Sequence, residues 1–180
     1  MEPAPAPKLA LVPPPAHPLE EAFRLHHALV FQAAYRVTGS AADAEDVLQT
    51  VFLRLVRGSG VGAIRDNPAG YLRRAAVHAA LDVLRGRARA RAVPLGEADG
   101  ESSLPSPERE LAGREMRRLL RQAVADLSPR AAEIFVLRYF EGLSNPQIAR
   151  LLGTSQAVVA VTLHRTRGRL RRQIRPYVGG

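Results

Sequence analysis

A chain of 180 residues suits one ordinary domain or two small ones, and 46% hydrophobic with 24% charged residues is the balance of a folded protein. Cysteine is absent, which excludes disulfides and thiolate metal sites. A formal net charge of +9 favours a polyanionic partner through phosphate neutralisation and counterion release. Lys8 is the single lysine, so an arginine-rich composition contributes to that total, and the placement of charge decides more than its sum.

No apolar run approaches the roughly 18 residues that would span a membrane. The opening MEPAPAPKLALVPPPAHP lacks the charged-then-apolar layout of a secretion signal, so a cytoplasmic protein without membrane insertion is expected.

Residues 1–18 are rich in Pro and Ala and are expected to be disordered. A helical pattern starts at Leu19, with Ala22, Phe23, Leu25, Leu29 and Ala33 at spacings of three and four, and Gly39 suits its stop. Ser40 is a good N-cap, with Asp43 three residues on. Val47, Leu48, Val51, Phe52 and Leu55 then form an apolar stripe that ends at Gly58-Ser59-Gly60. Asn67-Pro68 opens a third helix with Tyr71, Leu72, Ala75, Ala79 and Leu84 as its apolar positions.

Pro94, Gly96, Gly100, Pro105 and Pro107 give residues 92–107 the composition of a flexible linker. A helix is expected from Pro107 to Asp126, another from Ser128-Pro129 to Gly142, a short one from Ser144 to Gly153, and a long last one from Ser155 that ends before Pro176. No strand and no repeat is readable. The fold class is all-α: two small helical modules, 19–91 and 108–177, joined by a flexible linker.

The segment SNPQIARLLGTSQAVVAVTLHRTRGRLRR has helix-turn-helix spacing. Ile148, Ala149 and Leu152 make the apolar face of its first helix, and Gly153 supplies the turn. Val158, Val159 and Leu163 are expected to anchor the second helix, leaving the residues between them to enter a major groove. From Gly142 to Gly180 there is no Asp or Glu, against Arg150, Arg165, Arg167, Arg169, Arg171, Arg172 and Arg175. A solvated face usually mixes signs, so a one-sign face here reads as a phosphate footprint.

With the stretch LSPRAAEIFVLRYFEGLSNPQIARLLGTSQAVVAVTLHRTRGRLRR, the chain resembles region four of sigma-70-family factors, especially the extracytoplasmic-function (ECF) type. SAADAEDVLQTVFLRLVRG resembles the region-two helix that docks on the polymerase clamp, and NPAGYLRRAAVHAALDVLRGRARAR resembles the promoter-melting part of region two. The resemblance implies a sigma factor that binds core RNA polymerase and directs promoter-specific initiation. Region four would read the minus-thirty-five element, and region two would capture unpaired bases of the minus-ten element. Factors of this type are often held inactive by an anti-sigma partner. The alternative is a helix-turn-helix regulator that binds DNA without polymerase docking.

By resemblance, Asp46, Gln49 and Phe52 belong to the polymerase-docking helix, with Thr50 where the family often has Glu. Arg73, Arg74, His78 and Arg85 fall on the minus-ten helix, with His78 where the family often has Asn and Val77 where it often has Arg. Tyr71 stands where the family usually has Trp and reads as core. Arg87, Arg89 and Arg91 are further cations for the DNA backbone, and Asp82 is expected to pair with an arginine of its own helix. For the minus-thirty-five element the positions are Gln156, Ala160, Thr162, His164, Arg165 and Arg167. The basic residues that the family has at 160 and 162 are missing. Ala160 can meet a thymine methyl, and Arg165 a guanine edge or a phosphate.

The five histidines make no metal set, and there is no Walker-type glycine loop, so no cofactor and no metal is expected. Asp43, Glu45 and Asp46 share one helical turn, where a hydrolase or nuclease could hold a divalent ion, but helix-dipole complementation explains acids there equally well. No catalytic constellation is readable, and no enzyme is expected. If the arginines after His164 carry the affinity, Arg165→Ala weakens upstream-element binding more than Thr162→Ala in a titration at fixed salt. Equal losses contradict that assignment.

Overall fold

Polar side chains start four of the helices. Ser40 Oγ accepts from the Asp43 N–H at 3.3 Å, Asn67 Oδ1 from the Gly70 N–H at 2.9 Å, and Ser155 Oγ from the Val158 N–H at 3.2 Å. At Ser144 the cap is reciprocal: its Oγ accepts from the Gln147 N–H, and Gln147 Oε1 accepts from the Ser144 N–H at 2.8 Å. Glycines at positive φ close the turns, with Gly39 at 74°, Gly142 at 70° and Gly153 at 60°.

The computed structural model describes residues 18–57, 67–92 and 108–178. Among them are seven helices and no strand: α1 (Pro18–Thr38), α2 (Ala41–Val56), α3 (Pro68–Ala92), α4 (Glu108–Ala125), α5 (Pro129–Tyr139), α6 (Asn145–Leu152) and α7 (Gln156–Val178). The expected disordered start, apart from Pro18, the Gly58–Gly60 stop and residues 93–107 of the expected linker lie outside the described residues.

Four details differ from the sequence reading. Leu25 and Phe23 are exposed, because the buried stripe of α1 is Ala22, Val30, Ala33, Ala34 and Val37. Val158 is exposed as well, so Val159 and Leu163 anchor α7 without it. Ser128 precedes α5 but its side chain makes no capping bond; Pro129 in the first turn sets the start instead. The last helix continues through Pro176 to Val178. A proline in the final turn removes one helical donor close to where the ladder ends anyway, so the break comes late.

Helices α1, α2 and α3 pack pairwise around Val30, Val37, Val47, Val51, Leu55, Leu72 and Leu81, all at most 2% exposed. Each such side chain gains roughly 1.5–3 kcal/mol on burial. Helices α4 to α7 form the second cluster, with Val124, Ile134, Leu137, Ile148 and Val159 fully buried. The sequence reading treats the two modules as tethered but separate. In the structure they are packed together, α3 lying against both α4 and α5. That explains why α3 buries Ala76, Val77, Ala79, Ala80 and Leu81, which wrap around its circumference rather than lying on one stripe.

Gly39 sits at this junction. Beside it, Arg121 of α4 donates from Nε to the Val37 carbonyl at 3.0 Å, and a Cβ built on Gly39 would run into the Arg121 guanidinium. Gly39→Ala combines that clash with a left-handed backbone. It should destabilise the protein by about 1–2 kcal/mol in urea unfolding; an unchanged midpoint and slope would show that the junction tolerates a side chain there.

Candidate nucleic-acid interface

Helix α7 buries Val159, Leu163, Thr166 and Leu170. At 100° per residue, the opposite line runs through Ala157, Val161, His164 and Arg165, Gly168 and Arg172. Its side chains are exposed apart from half-buried Gly168, and Val161 is 49% exposed. Of the expected upstream-element residues, His164 and Arg165 lie on this outward line. Gln156, Ala160 and Arg167 are exposed but on one flank of it, and Thr162 is half-buried on the other. The sequence reading leaves Val161 in the groove-facing stretch without assigning it a contact; it sits two positions from both buried anchors, Val159 and Leu163.

The turn before α7 forms an open cleft lined by Pro146, Arg150, Gly153, Thr154 and Gln156. The start of α7 faces it, where unpaired backbone N–H groups carry partial positive charge. With Arg150 beside them, this cleft suits a phosphate of a duplex whose groove holds α7.

Helix α2 presents a second outward face. Asp46 and Gln49 are exposed, and Phe52 is half-buried, meeting Phe23 edge to face at 4.9 Å between centroids. One turn further on, Leu53 is 52% and Val56 65% exposed. The sequence reading puts Phe52 both in the apolar stripe and, by resemblance, in the docking set, and passes over Leu53 and Val56. A face that begins acidic and ends apolar suits a protein partner more than DNA. Among the described residues no His, Cys, Asp and Glu group can hold a metal ion, and the Asp43 carboxylate takes Arg87 Nη2 at 2.7 Å. Asp43 therefore ties α2 to α3, and Arg87 is occupied by it.

The expected minus-ten cations lie where the modules meet. Glu133 of α5 places Oε1 2.6 Å from Arg74 Nε and 2.7 Å from His78 Nε2, while its Oε2 lies 3.3 Å from Arg130 Nη1. Glu141, just beyond α5, accepts from Arg36 Nη1 at 3.2 Å; its Oε2 is an ion-pair partner of Arg73 Nε at 3.3 Å without hydrogen-bond alignment. The two carboxylate side chains are 4% and 3% exposed. Arg85 stands apart from this network, paired with Asp82 at 3.4 Å on its own helix, as the sequence reading expected for Asp82. Tyr71 is half-buried and packs against the core.

Burial alone would push the Glu133 carboxyl up. Hydrogen bonds from His78 and Arg74, with their positive charge, outweigh it and hold the group at about 2, below its ordinary 4.5. The ionised form therefore stabilises the packed state fully above pH 4.5, and this contribution fades as the pH falls toward about 2. The groups facing it are Arg74 and His78 from α3 and Arg130 from α5. The stability difference between wild type and Glu133→Gln, measured by urea unfolding, should shrink steadily from pH 5 to pH 3. A constant difference would mean that Glu133 does not act through its charge.

Residues 22–90 match sigma-70 region 2, and residues 117–170 match sigma-70, region 4. The chain is 32% identical over 154 residues to the ECF RNA polymerase sigma factor SigE of Mycolicibacterium smegmatis, covering 84% of this chain and 60% of that one. It is 31% identical over 156 residues to the RNA polymerase sigma-E factor of Streptomyces avermitilis, covering 86% and 84%. The ferric citrate uptake sigma factor FecI of Escherichia coli is 31% identical over 137 residues, covering 76% and 79%. In fold, the chain is similar to CnrH as solved in complex with the cytosolic domain of CnrY, with a TM-score of 0.52, 18% identity and 88% of each chain covered. With both regions in order on the two helical modules, and with relatives above 30% identity along most of its length, the chain belongs to the sigma-70 family of RNA polymerase sigma factors, in its extracytoplasmic-function group.

Proposed function

We infer that this protein binds core RNA polymerase and directs promoter-specific transcription initiation. The observation that carries this reading is the ordered pair of regions 2 and 4 on two modules whose outward helices differ in chemistry. Helix α2 offers an acidic-to-apolar face, and α7 offers arginines with no acid among them. A regulator without polymerase docking needs no region 2, and that region occupies residues 22–90 here.

Residues 19–91 would dock on polymerase through Asp46, Gln49 and Phe52, extended by Leu53 and Val56, and would hold minus-ten bases on Arg73, Arg74, His78 and Arg85. Residues 108–177 would read the minus-thirty-five element through His164, Arg165 and Val161, with Ala160, Gln156, Arg167 and Thr162 beside them. Two modules on one chain gain affinity by bivalency once polymerase spaces them to match the two elements. The action is one of binding and strand capture, with no enzymatic step of its own. Docking on core polymerase places its action in the cytoplasm; separately, no helix among the described residues is long and apolar enough to cross a membrane. An anti-sigma protein partner belongs to this proposal; CnrH, similar in fold, is solved in complex with the cytosolic domain of CnrY.

Transcription with core polymerase on genomic templates tests the reading. The protein should give transcripts with defined starts that share two upstream elements. Leu53→Asp with Val56→Asp should lower core binding about tenfold or more, while leaving duplex binding by the isolated factor unchanged. No specific transcript and no co-purification with core would overturn it.

A further inference from the structure

The start of α7 carries apolar side chains where a surface helix is ordinarily polar. From Ala157 to Val161 the sequence runs AVVAV, and only Val159 of the five is buried. Ala157 and Ala160 are exposed, and Val158 and Val161 are each 49% exposed. No side chain in this stretch can donate or accept a hydrogen bond. Packing does not account for the two exposed valines. Their branched side chains make them weaker helix formers than alanine, and half of each is left in water. An exposed apolar patch with a polar rim marks a contact surface. The rim here has one sign: Arg150 lies across the turn from the start of α7, Arg165 and Arg167 follow the patch, and no acid occurs beyond Gly142. That charge suits a polyanion as the occupant.

We propose that this patch reads thymine methyl groups, so that this factor chooses its upstream element by apolar contact at the base pairs facing Ala157, Val158 and Val161, with Val161 as the principal specificity residue. The inference rests on the reading of α7 as the upstream-element helix and deepens it. The C5-methyl of thymine is the one apolar group that the bases present in the major groove. A valine laid over that methyl removes apolar surface from water on both sides. A valine laid over a G·C pair instead strips water from guanine O6 and N7 and from cytosine N4, and it offers no bond in return. The choice of base pair therefore combines an attraction with a penalty. The arginines cannot make this choice, because a guanidinium is drawn to any phosphate and, among base edges, to guanine. Val161 stands near the centre of the outward line, with Ala157 one turn before it and Arg165 one turn after. From Ala157 to Val161 the helix advances about 6 Å, close to two base-pair steps of about 3.4 Å. The stretch thus faces about two or three base pairs, and A·T is expected at those positions.

The test removes the methyl and nothing else. The full chain, assembled with core polymerase, selects its upstream element from duplexes of random sequence. Each thymine of that element is then replaced in turn by deoxyuridine, which keeps the pairing and every donor and acceptor but lacks the methyl. At one or two positions the replacement should weaken binding about fourfold, the worth of one buried methyl, and at the other thymines it should change little. In Val161→Ala the same replacement should cost less than twofold at one of those positions, which assigns that methyl to Val161. Val161 is exposed and alanine is the better helix former, so a loss in this variant is not a loss of fold. A uracil effect of zero, an equal effect at every thymine, or an effect that Val161→Ala retains would overturn the methyl reading while leaving α7 as the upstream reader. Selection of no upstream element at all would remove α7 from that role, and the proposal with it. If Val161→Ala weakens assembly with core and leaves the uracil effect intact, the patch belongs to a protein contact and the proposal falls.

Discussion

Two almost wholly covered acids of the second module meet cations of the first. Glu133 and Glu141 are 4% and 3% exposed, a burial that an unpaired carboxylate does not tolerate. The need for partners seats α5 on α3, and the rest of the arrangement depends on that seating. With α5 fixed, the capped turn at Ser144 sets α6, the left-handed Gly153 sets α7, and the outward line of α7 is turned to solvent. On the other side, α3 has two sets of neighbours and so buries small residues such as Ala76, Ala79 and Ala80, which let helices approach on several faces at once. Removing one partner would leave the other charge covered and uncompensated, a larger loss than the net worth of the pair.

Much of the local structure was legible in the sequence because its causes are local. Ser40, Asn67, Ser144 and Ser155 declare helix starts through side chains that reach three residues ahead. Gly39, Gly142 and Gly153 declare turns that other residues enter only with strain. Periodicity was less decisive wherever apolar residues outnumber the buried positions. In α1 the sequence offers Phe23 and Leu25 as readily as Val30 and Val37, and only the packing of α2 and α3 decides that the latter pair is covered. Val158 and Val159 are a second case, since adjacent valines cannot reveal which of them meets α5 and α6.

The junction between modules was not legible at all. A glutamate in FEGL or AAEIF reads as an ordinary surface acid, its partners Arg73, Arg74 and His78 read as DNA contacts, and Arg36 carries no assignment. Pairs separated by 55 to 105 residues leave no trace in spacing or composition. The glycine-rich and proline-rich stretch between the modules pointed toward independence, because a linker's composition reports its own stiffness and not the affinity of what it joins. Both descriptions of α3 can hold for the same residues, since a surface that attracts phosphate also attracts carboxylate.

The absence of acids beyond Gly142 acquires a further consequence from this packing. With α3 partly neutralised by Glu133 and Glu141, the uncompensated positive charge of the packed molecule gathers toward α7, where Arg165, Arg167, Arg171, Arg172 and Arg175 are exposed. The molecule is then electrically lopsided. The field of a duplex exerts a torque on such a body at distances of about a Debye length, roughly 8–10 Å, before any atom touches. Diffusional encounters are thereby biased toward end-on arrival with α7 leading, which raises the fraction of collisions in a readable orientation without adding a single contact.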